Sequence, residues 1–245
     1  MPRYKITIEY DGTNYSGWQQ QEKAPSIQEE LQKAAFCFLK EDILVTGAGR
    51  TDAGVHALGQ VAHFDTSKII DPFRLCQAFN AHLRPQPISV LKAEQAADTF
   101  HARFDAKKRF YVYKILNRRS RPALYENRVW WVHQPLDETA MAEAAQVLIG
   151  KHDFTTFRAA ACQAKSPVKT LDEIRIERYG EFIFLYFSAR SFLHHQVRNI
   201  VGTLKLVGEG RWTKQNVIDA LEAKDRKAGG PTAAAEGLYF EKVLY

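Results

Sequence analysis

Residues 43–64 have the sequence ILVTGAGRTDAGVHALGQVAHF, and this stretch places two predicted strands next to each other along the chain. Runs rich in β-branched and aromatic residues predict strands at residues 43–46 and 60–64. The intervening residues 46–56 carry three glycines and offer no clear start for a helix. Because helices are predicted before and after this pair of strands, the stretch indicates an α+β fold.

The sequence on both sides completes a recognisable order. Residues 5–10 alternate like a strand, and Ser26 with Glu29 forms a capping box that predicts the start of a helix. The apolar stripe of that helix consists of Ile27, Leu31, Ala34, Ala35 and Phe38. A helix at residues 72–83 and a strand at 88–93 follow. The first half therefore has the order β-α-β-β-α-β, which is ferredoxin-like.

The second half repeats this order, with a division predicted near residue 106. Its predicted elements are a strand at 109–116, a helix at 137–149, a hairpin of strands 170–178 and 182–189, helices at 193–207 and 213–221, and a strand at 238–244. Trp130 and Trp131 suit a buried strand pair or a sheet-edge cover. We therefore expect two ferredoxin-like halves, residues 1–105 and 106–245, lying side by side with helices on one face.

Composition limits the classes of protein to which the chain can belong. The 245 residues are 45% hydrophobic and 25% charged, a balance that is ordinary for a globular protein. The net charge of +6 slightly favours a polyanionic partner such as nucleic acid. The three cysteines, which form no CxxC pair, support neither a zinc site nor a disulfide framework. Without a signal peptide or an apolar run that could span a bilayer, the chain is expected to be cytoplasmic and to have no membrane partner.

The glycine-rich residues 46–56 are the first candidate for chemistry, since they hold one cation and one anion, Arg50 and Asp52. An aspartate in a tight loop most often makes a local turn hydrogen bond. The spacing of a phosphate-binding P-loop is absent. From the residues alone, a structural loop and an active-site loop both stay open.

Six ordered blocks of the chain resemble the TruA family of tRNA pseudouridine synthases. Residues 49–57, GRTDAGVHA, match the signature of that family. The other blocks are EYDG at 9–12 with GWQ at 17–19, FHARF at 100–104 with RFYVY at 109–113, DFTTFR at 153–158, HHQVRNIVG at 194–202, and EGLY at 236–239. Gln196, and Ala57 with Leu58, depart from the family pattern, and we expect these departures to affect only local packing.

The resemblance implies a fold, an activity and partners. The fold is the pseudouridine synthase fold, with two ferredoxin-like halves joined through a mixed, mainly antiparallel sheet around a central active-site cleft. The activity is the isomerisation of uridine to pseudouridine at positions 38, 39 and 40 of the tRNA anticodon stem-loop. The implied assembly is a homodimer with one tRNA lying across both subunits.

The resemblance also gives roles to four residues. Asp52 matches the catalytic aspartate, and Tyr111 matches the tyrosine that packs on the target uracil. Arg198 matches a basic residue that pairs with the aspartate, and Arg50 matches the arginine that helps to extrude the nucleotide. Without the resemblance, the strand position of Tyr111 would favour a core aromatic.

The chemistry of the implied reaction agrees with these roles. The bond from N1 to C1′ breaks and the base rejoins through C5, so no redox change occurs and no cofactor is expected. An ionised carboxylate is needed as a nucleophile or as a stabiliser of a ribose-derived cation. Attack at C6 of uracil and chemistry at C1′ both stay open, as does proton transfer by the Tyr111 hydroxyl.

Three other interpretations compete with the synthase. His194 and His195 suggest a metal site, but no carboxylate at ligand spacing accompanies them in sequence, so no metal is expected. A non-catalytic RNA-binding module would use exposed aromatics on a ferredoxin-like sheet. A nucleoside or glycoside hydrolase would need a second carboxylate, for which Glu9 and Asp65 are the candidates.

Overall fold

The structure is a computed structural model that describes residues 1–245, and it confirms an α+β chain with ten strands and five α-helices. The chain forms two compact units. The first contains residues 1–107 and 239–245, and the second contains residues 108–238. No helix is both long and apolar enough to span a membrane. The predicted division into residues 1–105, with the catalytic Asp loop, and residues 106–245, with the active-site Tyr and Arg, stays a prediction.

The first unit has the predicted ferredoxin-like order. Its elements are β1 (Arg3–Tyr10), α1 (Ile27–Leu39), β2 (Thr46–Gly47), β3 (His56–Asp65), α2 (Pro72–Leu83) and β4 (Ile88–Ala96), and it takes all but the first residue of β10 (Leu238–Leu244). β1 lies between β4 and β3 and is antiparallel to both. β2 pairs with β3 in antiparallel fashion, and β10 pairs with β3 in parallel through Tyr239 and Phe240.

Alternation along β1 and the stripe on α1 build the core of this unit. Tyr4, Ile6, Ile8 and Tyr10 are buried on one face of β1, and the predicted stripe on α1 is buried from Ile27 to Ala35. The cap prediction is confirmed, because Ser26 Oγ accepts a hydrogen bond from the Glu29 amide at 3.2 Å.

The strand predicted at residues 43–46 is wrong for its first three residues, because β2 begins only at Thr46. The reason lies in two side chains of α1. The Gln32 Oε1 accepts a hydrogen bond from the Val45 amide at 3.2 Å, and the Gln28 Nε2 donates one to the Val45 carbonyl at 2.9 Å. These side chains occupy the backbone groups that a neighbouring strand would otherwise use.

The second unit contains the remaining elements. They are β5 (Lys108–Asn117), β6 (Trp130–Val132), α3 (Glu138–Ala145), β7 (Gly150–Asp153), β8 (Val168–Tyr179), β9 (Phe182–Ala189), α4 (Gln196–Gly208) and α5 (Lys214–Ala223). β5, β9, β8 and β7 are neighbours in that order and antiparallel, and β6 is parallel to β5. The predicted hairpin of β8 and β9 is confirmed.

Two helix boundaries and one strand in this unit differ from the sequence prediction. The helix predicted at 137–149 ends at Ala145 and continues only as a short 3₁₀ turn. The polar strand β7 has no predicted counterpart. Helix α4 begins at Gln196 instead of residue 193, because His195 has a φ of 62° and cannot continue a right-handed helix. The Gln196 side chain accepts the Leu193 amide at 2.8 Å and closes the turn before the helix.

Candidate active site

Arg50 and Asp52 lie in the first unit on residues 48–55, the loop between β2 and β3. Arg50 is exposed and Asp52 is half-buried, whereas Thr51 between them is 7% exposed. Alternate residues of the loop therefore differ in exposure. The structure brings the predicted cation and carboxylate together on one short segment that is anchored through the residue between them.

The N-terminal segment supplies backbone partners to this loop. The Trp18 amide donates to the Thr51 carbonyl at 3.1 Å, and the Gly54 amide donates to the Tyr15 carbonyl at 3.3 Å. The Val55 amide donates to the Asp52 carbonyl at 3.2 Å, which closes a turn with Gly54 at a φ of 75°. The backbone of Asp52 is thus part of a closed turn held against the segment after β1.

Two glycines make this approach possible. A Cβ on Gly12 would lie 2.0 Å from the Val55 carbonyl oxygen, and one on Gly17 would lie 2.4 Å from the Thr51 carbonyl oxygen. Gly17 also has a φ of 103°, which L-residues rarely adopt. Both glycines stand in the N-terminal block that resembles the family, but the sequence alone gave neither a role at the site.

Side chains from β1 and β3 hold the loop from its buried side. The Tyr10 hydroxyl and the Thr51 Oγ1 are 2.8 Å apart, within hydrogen-bonding distance. The Gln60 Nε2 donates to the Gly49 carbonyl at 2.9 Å. The residues on both sides of Arg50 are therefore fixed by hydrogen bonds to buried side chains.

His56 marks the end of the loop and the start of β3. Its Nδ1 accepts a hydrogen bond from the Gly12 amide at 3.0 Å and lies 3.2 Å from Asp11 Oδ1. Its ring stacks on Tyr239 of β10, with ring centroids 4.7 Å apart. Through these contacts His56 ties the loop to the turn after β1 and to the last strand.

Tyr111 lies in the second unit on β5 and is 9% exposed. In the sheet it stands opposite Phe187 of β9. Its ring meets Phe192 edge-on, with centroids 5.0 Å apart and an interplanar angle of 83°. The orientation of the Tyr111 ring is thus set by an aromatic neighbour.

Arg198 lies in the first turn of α4 and is half-buried. Its Nε donates to the Ala233 carbonyl at 2.9 Å, and the Ala233 amide donates to the Arg198 carbonyl at 3.1 Å. These reciprocal hydrogen bonds fix the position of the Nε end of the guanidinium group. Tyr111 and Arg198 thus reach their positions on different elements of the second unit.

The segment that holds Arg198, residues 229–234, packs directly against α4. A Cβ on Gly202 would lie 1.7 Å from the Pro231 carbonyl oxygen, and one on Gly230 would lie 2.6 Å from the Thr203 Cα. The Thr203 hydroxyl accepts the Gly230 amide at 2.9 Å. We call residues 229–234 the strap. In sequence it reads only as a Gly-Gly-Pro loop, so its contact with the helix was missed.

The neighbouring histidines stand just before α4. The ring centroids of His194 and His195 are 4.1 Å apart, and His195 is the residue whose left-handed backbone starts the helix. This gives His195 a structural role in the turn. The prediction that the two histidines hold no metal stays a prediction.

Comparison with known proteins adds to this geometry. The family described as tRNA pseudouridine synthase matches residues 6–105 and 144–245 of the chain. Arg50, Asp52 and Arg198 fall inside the matched parts, and Tyr111 falls between them.

Relatives match over the whole chain. A protein of Rhodopseudomonas palustris is 60% identical and one of Parvibaculum lavamentivorans is 54% identical, each with complete coverage of both chains. A protein of Rhodospirillum rubrum is 56% identical over all of this chain and 88% of its own length. All three are named tRNA pseudouridine synthase A. With its full length covered at this identity, the chain belongs to the tRNA pseudouridine synthase family and is an enzyme of the isomerase class.

Proposed function

We propose that this enzyme isomerises uridine to pseudouridine at positions 38, 39 and 40 of the tRNA anticodon stem-loop, with Asp52 as its catalytic carboxylate. The observation that carries the proposal is that synthases 54% and 60% identical to the chain match it from end to end. The loop with Asp52 lies within this similarity. In this loop the Asp52 carboxylate is attached to a backbone that is fixed by hydrogen bonds.

The reaction is an isomerisation, so its atoms balance without a second substrate. The N1–C1′ bond breaks, C5 bonds to C1′, C5 loses a proton and N1 gains one. The Asp52 carboxylate serves either as a nucleophile or as a stabiliser of positive charge on the ribose. A closed turn at residues 52–55 supports this role, because it keeps the backbone of Asp52 in one position.

Arg50 is proposed to support extrusion of the target nucleotide. A uridine stacked in a stem cannot present C1′ and C5 to a carboxylate, and flipping it out costs a few kcal/mol. Arg50 is exposed and stands two residues from Asp52. Its guanidinium group is therefore available to the RNA near the carboxylate, where it would fill the vacated space or hold a phosphate.

Tyr111 and Arg198 complete the proposed set. Flipped bases are commonly held against aromatic rings, and the edge-on contact with Phe192 sets the orientation that the Tyr111 face offers. The family resemblance gives Arg198 the role of a basic partner for Asp52. The hydrogen bond from the Arg198 Nε to the Ala233 carbonyl holds the guanidinium group in place, which supports its role as a positioned cation.

We also propose a homodimer, and one face of the second unit supports it. Phe182, Phe184 and Tyr186 form a ladder along β9, with successive ring centroids 6.1 and 6.3 Å apart. Further rings with large exposed fractions extend this aromatic face; they are Tyr125 at 45%, Trp131 at 38% and Tyr179 at 59%. Exposed apolar patches of this kind mark interaction sites.

Charge on the aromatic face favours a second copy of the chain over RNA. On β8, Arg175 lies between Glu173 and Glu177, forms ion pairs with both, and stacks on the Tyr186 ring at 4.1 Å. On the β8 and β5 strands of this face, Glu173 and Glu177 balance Arg175 and Lys114, although the whole chain has a net charge of +6. Protein surfaces that bind RNA are basic, whereas balanced charges around an apolar centre suit a two-fold contact between identical surfaces.

The dimer surface can be tested with one charged substitution. Phe184→Glu should convert a dimeric protein to a monomer in sedimentation analysis, because it buries a carboxylate in the contact. Phe73→Glu is the matched control, since Phe73 is 69% exposed on α2 in the first unit. A dimer that survives Phe184→Glu would place the contact elsewhere, and a monomeric wild-type protein would refute the homodimer.

The activity itself is tested on unmodified tRNA transcripts. The purified enzyme should produce pseudouridine only at positions 38–40, as mapped by chemical labelling and primer extension. Transcripts with cytidine at these positions are the control. Release of free uracil would instead indicate hydrolysis, and labelling confined to other positions would contradict the proposed specificity.

A further inference from the structure

A small polar cluster lies beneath the loop that carries Arg50 and Asp52. It consists of Tyr10 from the end of β1, Thr51 from the loop and Gln60 from β3, which are 4%, 7% and 0% exposed. We call these three residues the clasp. Buried polar groups of this kind stabilise a fold only when they are hydrogen-bonded, so their geometry is constrained.

The hydrogen bonds of the clasp reach the backbone on both sides of Arg50. Gln60 donates to the carbonyl of Gly49, and the Tyr10 hydroxyl pairs with the hydroxyl of Thr51. The Trp18 amide holds the Thr51 carbonyl as well. The backbone at residues 49 and 51 is therefore fixed. The side chains of Arg50 and Asp52 are attached to a segment of backbone that has little conformational freedom.

Tyr10 is a neutral partner in this arrangement. Burial raises the pKa of its hydroxyl to about 12, against the opposing effect of hydrogen bonds from Thr51 and Gln60. The hydroxyl thus keeps its proton at physiological pH and stays able to donate or accept. Its contact with Thr51 spans 41 positions of sequence, so it joins the first strand directly to the residue before Asp52.

We propose that Tyr10, through Thr51, is a positioning residue for the Asp52 carboxylate, an inference that rests on the catalytic role proposed for Asp52. Deleting the Tyr10 hydroxyl frees the Thr51 side chain and lets the loop rotate at the residue before Asp52. A misplacement of about 1 Å at a reacting group can reduce the rate about 100-fold. The three residues of the clasp are buried, so RNA affinity should not change with it.

The test is a double-mutant cycle in single-turnover pseudouridine formation. Tyr10→Phe and Thr51→Val should each slow the reaction by about 10- to 100-fold, with tRNA affinity within about twofold of wild type. The double variant should be no slower than the slower single variant, because both remove the same hydrogen bond. Thr51→Ser keeps the hydroxyl and should restore most of the rate.

Tyr4→Phe is the matched control. Tyr4 is a fully buried tyrosine on the same strand, and its hydroxyl bonds both backbone groups of Ile70 at 3.0 and 2.7 Å instead of the loop. Its loss should lower thermal stability and leave the rate of the folded enzyme unchanged. A purely structural role for Tyr10 would give the same pattern.

Several results would overturn the inference. They are a wild-type rate for Tyr10→Phe, equal rate losses for Tyr10→Phe and Tyr4→Phe, or multiplicative losses in the double variant. If Tyr10→Phe does not fold, Thr51→Val against Thr51→Ser carries the same comparison. Activity of Asp52→Asn would refute the catalytic role of Asp52, whereas an inactive Asp52→Asn beside a fully active Tyr10→Phe would refute only the clasp.

Discussion

The loop with Asp52 and the strap against α4 hold proposed site residues in two different ways. In the first unit, side-chain hydrogen bonds from Tyr10 and Gln60 fix the loop. In the second unit, the strap lies so close to the helix that a single added carbon at Gly202 would collide with it at 1.7 Å. Glycines allow a close backbone approach in both regions; the loop adds hydrogen bonds from buried side chains on both sides of Arg50, and the strap has the closest approach, at Gly202.

This difference separates effects on rate from effects on stability. Removing one hydroxyl from the loop changes almost no volume, so we expect the fold to survive and the geometry around Asp52 to loosen. Adding one methyl group at the strap forces backbone atoms apart, because a packed interior cannot absorb the extra volume. Substitutions in the two regions should therefore differ in which property they change.

The largest expected effect on stability is that of Gly202→Ala. The new Cβ would meet the carbonyl oxygen of Pro231, which is rigid backbone, and we expect a loss of about 3 kcal/mol in urea unfolding. Gly180→Ala is the control, since nothing lies within 4 Å of its Cβ and only its φ of 58° adds strain, about 1–2 kcal/mol. Equal losses for the two variants would mean that the strap moves away at no cost.

Tyr111 adds a third case to the comparison of the loop and the strap. Packing against other side chains holds its ring, whereas its proposed role is contact with the substrate. Tyr111→Leu removes the ring and should slow single turnover by about 10- to 100-fold, the value of one stacked base. Tyr111→Phe keeps the ring and its edge-on contact with Phe192, so it should retain more activity. If both variants lose activity equally while tRNA binding persists, the hydroxyl takes part in the chemistry and stacking is not the main role.

A smaller effect is expected for Arg50→Ala, and it should depend on the substrate. If Arg50 supports extrusion, the rate should fall about tenfold on a paired stem uridine and less on a mismatched one, for which flipping costs less. Single-turnover rates on paired and mismatched anticodon stem-loops make the comparison. Equal losses on both would leave Arg50 as an electrostatic or structural partner of the loop.

The sequence predicted elements well where one local signal dominated. The bounds of α2 were predicted in full, because Pro72 follows the capping residue Asp71 and apolar residues recur at helical spacing. The strand β9 was predicted as one arm of a hairpin, and the structure buries Ile183, Leu185 and Phe187 on one face. Local patterns failed where residues outside the segment determine its secondary structure. Val45 is an example, because its backbone is hydrogen-bonded by glutamines of α1.

The same limit applies to the site. Arg50 and Asp52 were predicted as site residues from a glycine-framed loop and a family resemblance, and their roles stay a proposal. The clasp and the strap could not be identified, because Tyr10 meets Thr51 and Gly202 meets Pro231 across long stretches of chain. A tyrosine on a strand or a glycine in a helix looks the same in sequence whether it packs the core or supports a site.

The most direct test of the account is single-turnover pseudouridine formation by Asp52→Asn on a tRNA transcript. The substitution is nearly isosteric and removes only the charge, so tRNA affinity and melting temperature should stay at the wild-type values. Asp42→Asn, at an exposed aspartate ahead of β2, is the matched control and should react at the wild-type rate. We expect Asp52→Asn to lose at least about 1,000-fold in rate; substantial isomerisation by the purified variant would contradict the assignment of Asp52 as the catalytic carboxylate.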